Sequence, residues 1–265
     1  MFNLIRRLIR RNRVFLLACS LVLGLFQFLL PALVVEINLE SALEQILTFA
    51  PPIMRVLIEQ SLLGGSIQGL LAFGWDHPIT HAIMAAVAIA LASRAVAGEV
   101  ENGAIELVLA QPISRAAYLG SHLIFGIAAL TLVAAAGALG TMIGQRVFAL
   151  NAFGLDRMLR LLCNVILLQT AIYTATLLVS AWGREAGRVA VMGVLVTVVS
   201  YFIDVIVTLW PKASFLEPYS LHAYYDPRAI LVRGELAALA VMVLAGFAAV
   251  ATALAFWRFA TRDLP

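Results

Sequence analysis

The sequence predicts an all-α, polytopic membrane protein with six transmembrane helices. Apolar residues make up 63% of the 265 residues and charged residues 12%, against roughly half and a quarter in soluble domains. So few charges could not cover the surface of a soluble domain of this length. Six apolar stretches of about 20 residues or more are each long enough to cross a bilayer. We therefore expect a single transmembrane domain over residues 1–265.

The N-terminal segment 1–13 predicts a helix that lies in the headgroup layer. Its five arginines alternate with apolar residues, which is typical of a basic amphipathic helix on a membrane surface. A signal peptide is the competing interpretation, but no small-residue cleavage site follows the apolar run convincingly. The first transmembrane helix is predicted at 14–35, a stretch without charge.

The segment 36–77 is predicted to be external and not to span the membrane. Several acidic residues interrupt it and Pro51-Pro52 splits it. Short amphipathic helices are expected at 41–48 and 53–63, followed by a turn at Gly64-Gly65. The other five transmembrane helices are predicted at 78–97, 116–145, 161–183, 189–210 and 236–257.

An even number of spans places both termini on the same side of the membrane. With the N-terminus inside, the inner segments carry 11 of the 18 Lys and Arg residues. Basic residues are enriched in cytoplasmic loops, so this bias makes both termini cytoplasmic. We expect a multi-pass protein of the inner (cytoplasmic) membrane, with residues 98–115 on the cytoplasmic side.

Residues 98–115, the elbow, form the most polar stretch in the middle of the chain. Three carboxylates lie there, at Glu99, Glu101 and Glu106. The apolar residues between them recur near helical spacing, which predicts an amphipathic helix between the second and third spans. Pro112 ends that helix and Ser114 caps the next one. A solvated loop without a partner is the alternative, but it leaves the apolar face of the elbow unexplained.

The elbow resembles that of type-2 ABC transporter permeases. The matching residues are Gly98, Glu99, Glu101, Gly103, Glu106, Leu107, Leu109, Pro112, Ser114 and Arg115. Asn102 and Ala104 depart from that pattern, which more often has a basic residue and a threonine. Two further stretches resemble the family, 73–78 before the second span and 224–227 before the sixth, as does the ending at 257–264.

The resemblance implies a permease subunit in which the elbow is a cytoplasmic coupling helix. The implied partners are two copies of a separate ATPase subunit and a second permease chain, giving a homodimer in the lipid bilayer. The implied ATPase-contact residues are Glu99, Glu101, Gly103, Glu106, Leu109, Pro112 and Arg115. The nearest branch contains permeases linked to the maturation of multicopper enzymes, including nitrous oxide reductase. An ATPase-driven mechanical or assembly role for an extracytoplasmic metalloenzyme is therefore an alternative to cargo transport.

The sequence indicates that the chain does no bond chemistry of its own. A phosphate-binding loop ends in Gly-Lys-Ser/Thr, but the only lysine, Lys212, follows a proline. ATP hydrolysis is thus expected in a partner subunit, and no catalytic residue, cofactor or nucleic-acid partner is predicted. An intramembrane enzyme is the alternative from another class, but it would need paired catalytic groups where Asp204 stands alone.

A few residues inside or beside the spans are candidates for a site. Asp204 is the only carboxylate well inside a span, where a charge is costly and usually functional, so a role in the substrate path is one interpretation. His77 and His81 share a helix face, but the sequence favours a helix start at His77-Pro78 over a metal site. Gly140 and Gly144 predict a close contact between two helices. Packing within this chain is favoured over a contact between two copies of it.

Overall fold

The protein is all-helical in the computed structural model, which describes residues 2–36, 48, 51, 66–103, 105 and 113–262. No β-strand occurs within these ranges. Their α-helices are, in chain order, α1 (Phe2–Glu36), α2 (Ile67–Asp76), α3 (Pro78–Ala95), α4 (Ala97–Glu101), α5 (Arg115–Val147), α6 (Leu155–Trp182), α7 (Ala186–Leu209) and α8 (Ala238–Thr261).

Six stretches are long and apolar enough to cross a membrane, which confirms the predicted fold class. They are α1, α2 together with α3, α5, α6, α7 and α8. The start of α1 and the end of α8 lie at the end of the bundle that carries the elbow, because Arg11 of α1 bonds to Glu99 and Arg262 after α8 bonds to Ala181. We call this the elbow end, and the opposite end, with the connection between α7 and α8, the far end.

The first two spans differ most from their predicted bounds. α1 runs without interruption through both the predicted headgroup helix and the first span, and its proline, Pro31, lies near its end. α2 occupies part of the segment predicted to be external, and the Ser66 side chain caps it by accepting the N–H of Gly69. The predicted short helices at 41–48 and 53–63 and the Gly64-Gly65 turn lie outside the described residues, apart from Thr48.

Two helix starts follow the chemistry expected from the sequence. The Ser114 hydroxyl accepts the N–H of Ala117 at 3.1 Å and caps α5. Pro78 is the first residue of α3, where its missing N–H costs no hydrogen bond. The His77 ring caps the same helix, since its Nδ1 accepts the N–H of Ile79 at 3.2 Å.

The closest helix contact joins α1 to α5 through glycines. A Cβ atom on Gly140 would overlap the carbonyl oxygen of Gly24, and one on Gly144 would lie 2.7 Å from the ring of Pro31. Small residues let two helix backbones approach this closely inside a membrane. The predicted Gly140–Gly144 contact is thus confirmed, and it lies within the chain.

α7 is held far less tightly than α5. Only Val189, Gly193 and Ser200 of its 24 residues are buried. A long row of its apolar side chains faces outward, including Val191, Leu195 and Phe202. In a bundle that spans a membrane, this surface is available to lipid or to another helix.

The connection between α7 and α8 folds back into the bundle. It consists of two short 3₁₀ helices and a π-helical turn, at Pro211–Tyr219, His222–Tyr224 and Ala229–Arg233. The N–H groups of Leu221 and His222 bond to the Ser200 hydroxyl, at 2.8 and 3.2 Å. Ser200 lies nine residues before the end of α7, which at 1.5 Å per residue is about 13 Å below the far end of that helix.

Candidate functional site

The elbow connects α3 to α5 at the elbow end. The structure describes its residues 98–103, 105 and 113–115, whereas Glu106, Leu109 and Pro112 lie outside the described residues. Its first part is the five-residue helix α4, which begins directly after α3. Ile105 is almost fully buried, so an apolar residue of the elbow does face the bundle.

Glu99 faces the interior of the protein. It is 7% exposed, and its Oε1 lies 2.6 Å from Nη1 of Arg11 on α1. A carboxylate in so dry a position needs a charged partner, because an unpaired buried charge is strongly destabilising. This ion pair fixes the elbow to the first helix, and Glu99 offers little surface to another protein.

Glu101 is exposed, but it also has a partner within the chain. Its Oε2 accepts the N–H of Ala186, the first residue of α7, at 2.8 Å. The first N–H groups of a helix lack partners inside the helix, and the helix dipole favours a negative charge there. Glu101 therefore ties the elbow to the start of α7. Gly103 follows with φ +66°, a left-handed conformation that suits glycine and turns the chain after α4.

Arg115 binds the end of α8. Its Nη1 donates to the carbonyl oxygens of Phe259, Ala260 and Arg262 at 3.0, 3.2 and 2.6 Å. The last carbonyls of a helix carry partial negative charge and lack intrahelical donors, so a guanidinium there is well placed. The guanidinium of Arg115 is thus used to connect α5 to α8.

Three residues of this end could not be identified from the sequence. Arg11 is one of five similar arginines. The Ser180 hydroxyl accepts the N–H of Ala97 at 3.0 Å and that of Val96 at 3.3 Å, joining α6 to the start of α4. Arg262 donates to the carbonyl oxygen of Ala181 at 2.9 Å, and burial, with Arg258 and Arg184 nearby, lowers its pKa. Each contact joins two residues that are more than 80 positions apart in the sequence, so no local pattern reveals it.

Asp204 lines a polar cavity of about 460 Å³ at the far end. It is partly buried and about 7 Å below the end of α7, five residues before Leu209. The same cavity is lined by Asp76, Asp226, Arg228 and Arg233. Asp76 pairs with Arg228 at 2.9 Å and Asp226 faces Arg233 at 3.7 Å. Within the described residues Asp204 has no such ion pair, so its carboxylate is available to the cavity.

The structure separates the two histidines of the predicted helix face. His77 caps α3 and packs against Phe26 and Phe73. His81 lies deeper, with its ring 5.1 Å from that of His222 and its Nε2 3.7 Å from Asp76. In the part of the chain that is described, no group of three or more His, Cys, Asp or Glu side chains is arranged to hold a metal ion.

Two aromatic side chains of the folded-back connection are buried against this region. Burial, with a smaller effect of His81, lowers the pKa of His222 to about 3, so its imidazole is neutral at physiological pH. Burial also raises the pKa of Tyr225 well above its usual value, and its hydroxyl donates to the carbonyl oxygen of Trp75 at 3.1 Å. The far end thus combines neutral rings with charged cavity walls.

Comparison with known proteins gives one finding for the whole chain. A family model described as "ABC-2 family transporter protein" matches residues 6–264. No curated protein sequence matches the chain significantly. The match includes most of α1, the elbow, the folded-back connection and α8.

Proposed function

The chain belongs to the ABC-2 transporter family, and from this we propose that it is the permease of a complex in which two ATPase subunits drive two copies of this chain. A permease of this family is a membrane subunit that works with an ABC ATPase. The chain would supply the path through the membrane, and the ATPase subunits would supply the energy.

The connections of the elbow are the observation that carries this proposal. Glu99 bonds to α1, Glu101 to α7 and Arg115 to the end of α8. An element that touches three spans can change the positions of all three when a partner displaces it. Coupling of this kind needs an element with two arrangements, and the elbow is our candidate.

Different residues of the elbow would contact the ATPase subunit and transmit its displacement to the membrane helices. We assign ATPase contact to the elbow outside Glu99, chiefly to Glu106, Leu109 and Pro112. Glu99 and Arg115, which bond within the chain, would transmit the displacement to α1 and α8. Replacing Glu106 and Leu109 by Lys should then abolish co-purification with the ATPase subunit, whereas Glu99→Gln should leave it intact. Unchanged co-purification of the double Lys variant would contradict docking at the elbow.

We propose that the elbow end is cytoplasmic and that the membrane is the inner membrane. The excess of basic residues at this end supports the orientation. A reporter that is active only in the cytoplasm should work after Pro265, and one that is active only outside should work when inserted at Gly65. If the two reporters showed that positions 65 and 265 lie on the same side of the membrane, the six-span arrangement would be contradicted.

We propose that cargo passes the polar cavity at the far end, with Asp204 in contact with it. The unpaired, partly buried carboxylate supports this assignment, because charges inside a span are costly and mark ion or substrate paths. A mechanical role in the assembly of an extracytoplasmic metalloenzyme remains the second candidate. Stimulation of the ATPase by a small cargo would favour transport, and stimulation by the folded metalloenzyme would favour assembly.

A further inference from the structure

Three arginines meet where α6 and α8 end, at the elbow end of the bundle. Nη1 of Arg262 donates to the carbonyl oxygen of Ala181 at 2.9 Å, which joins the end of α8 to the last turn of α6. Arg258 lies one turn earlier on α8, and its guanidinium carbon is 5.9 Å from the ring centre of Trp182, the last residue of α6. Burial lowers the pKa of Arg262, and the nearby charges of Arg258 and Arg184 lower it further. We call Arg184, Arg258 and Arg262 the arginine cluster.

The arginine cluster has no carboxylate partner in the part of the chain that is described. The described carboxylates at this end are engaged elsewhere, since Glu99 pairs with Arg11, Glu185 with Arg188, and Glu101 with the first N–H of α7. Like charges that are held together repel one another, and a buried charge without a counterion is strongly destabilising. An anion from outside these residues is therefore expected at the cluster.

The helix ends do not supply the missing negative charge. The C-terminal end of a helix carries a partial charge of about half an electron. The end of α6 is bound by Arg262 and the end of α8 by Arg115. Nε of Arg258 is buried and forms no hydrogen bond to any described residue. Buried donors without an acceptor are rare and costly, which indicates that a bound group supplies the acceptor.

The surroundings of the arginine cluster are those of a headgroup layer. Trp182 and Trp257 are 50% and 61% exposed, and tryptophans at the ends of spans lie at the level of lipid headgroups. Leu254, one turn before Arg258 on α8, is 42% exposed, so apolar surface lies on the bilayer side of the guanidinium. A phospholipid matches this order, with a phosphate at the arginines and an acyl chain against the apolar surface. An acidic protein segment would use the charges but not the apolar surface.

We propose that the arginine cluster binds the phosphate of an anionic phospholipid, with an acyl chain along Leu254 and Trp257 of α8. Guanidinium groups bind phosphate oxygens through charge-assisted hydrogen bonds that are often bidentate. Basic sites between spans at a membrane surface favour anionic over zwitterionic headgroups. The proposal concerns binding by the chain itself, so it does not depend on the proposed transport function or on the side of the membrane that the elbow end faces.

Photolabelling of the full chain in phosphatidylcholine nanodiscs tests this site. The probe is a phosphatidylglycerol with a diazirine in its acyl chain, close to the glycerol. We expect labelled peptides from 178–184 and 250–262, and competition by unlabelled phosphatidylglycerol but not by further phosphatidylcholine or by inorganic phosphate. Labelling confined to other helices would overturn the proposal. Displacement of the probe by inorganic phosphate would show a site for a soluble anion, and would also overturn it.

Single charge removals provide a matched pair. Arg258→Gln removes one charge of the cluster, and the apparent affinity for the probe should fall by about fivefold to tenfold. Arg10→Gln removes the same charge from an exposed position of α1 at the same end, and should leave the affinity unchanged. Arg184→Gln changes an exposed residue after α6 and should give the same loss as Arg258→Gln, even if the latter variant fails to fold. Equal affinities of Arg184→Gln and Arg10→Gln would contradict the site.

Two competing anions have their own tests. Asp263 follows the cluster in sequence and lies outside the described residues. A gain of about tenfold in the affinity of Asp263→Asn for the probe would show that its carboxylate occupies the site, and would overturn the proposal. Loss of co-purification with the ATPase subunit in Arg184→Gln, with labelling unchanged, would show that an acidic protein segment binds there, with the same consequence. We expect neither result.

Discussion

The ion pair between Arg11 and Glu99 should hold the elbow more strongly than an ordinary surface pair. The side chain of Glu99 is 9% exposed and that of Arg11 is 42% exposed, at a distance of 2.6 Å. Breaking a fully buried pair costs about 3–5 kcal/mol, whereas exposed pairs contribute about 0–1 kcal/mol. Solvent at Arg11 screens the interaction, so we expect a coupling energy of about 1.5–2 kcal/mol, between these limits.

A double-mutant cycle with Arg11→Gln and Glu99→Gln measures this energy. Free energies of unfolding would be obtained by titrating the purified chain with SDS in mixed micelles. Arg188 and Glu185 form the matched control, because they are also at the elbow end, 2.8 Å apart, but 82% and 50% exposed. Their cycle should give at most about 0.5 kcal/mol.

The same variants distinguish the attachment of the elbow to α1 from the binding of the ATPase subunit. Because Glu99 faces α1, each single variant should still co-purify with the ATPase subunit, while ATP hydrolysis in the complex loses its response to cargo or to the partner enzyme. A coupling energy below about 0.5 kcal/mol would refute the energetic argument. Loss of co-purification in Glu99→Gln would refute the inward placement and return Glu99 to the contact surface.

Three other perturbations have defined outcomes. Gly140→Ala should destabilise the chain by about 1–3 kcal/mol in the SDS titration, because its methyl group meets the backbone of α1. Gly246→Ala, with open space around it, should be neutral or stabilising in the same titration. Asp204→Asn should impair transport in reconstituted vesicles with expression and docking unchanged; normal transport by Asp204→Leu would refute a role in the path. His222 stays neutral in the folded chain down to about pH 3 but is protonated below about pH 6.5 when unfolded, so the free energy of unfolding should fall as pH decreases through this window, by at most about 1.4 kcal/mol per pH unit. His222→Asn should remove that part of the slope; an identical slope in the variant would contradict a buried neutral imidazole.

Local sequence patterns predicted the helices and their starts well. Hydropathy identified six spans because each must bury a long apolar stretch in lipid, and Ser114 and Pro78 start helices for reasons confined to one turn. The Gly140–Gly144 step indicated a close contact because only small residues permit it. α2 was missed because Gly69, Gly74 and Asp76 make its pattern weak.

The functional connections were harder to predict because they join residues far apart in sequence. The sequence singled out Glu99 and Arg115, but their partners are Arg11 and the end of α8, and no periodicity links them. The folding back of the α7–α8 connection depends on Ser200 and His222, which are unremarkable polar residues until tertiary contacts bring them together. Charge and capping rules explain these contacts once the positions are known, but cannot select the partner beforehand.

The glycine contact between α1 and α5 has a mechanical consequence. Two helices in backbone contact along Gly24, Gly140 and Gly144 cannot slide or rotate past each other without steric overlap, so they move as one stiff unit. α7 has three buried residues and meets its neighbours through side chains, since the atoms nearest to Gly193 belong to the side chains of Thr176 and Ile89. A displacement of the elbow would therefore carry the α1–α5 pair as a rigid body and change the angle of α7 against it. The conformational change of the permease would then be concentrated along the seam between α7 and the helices beside it.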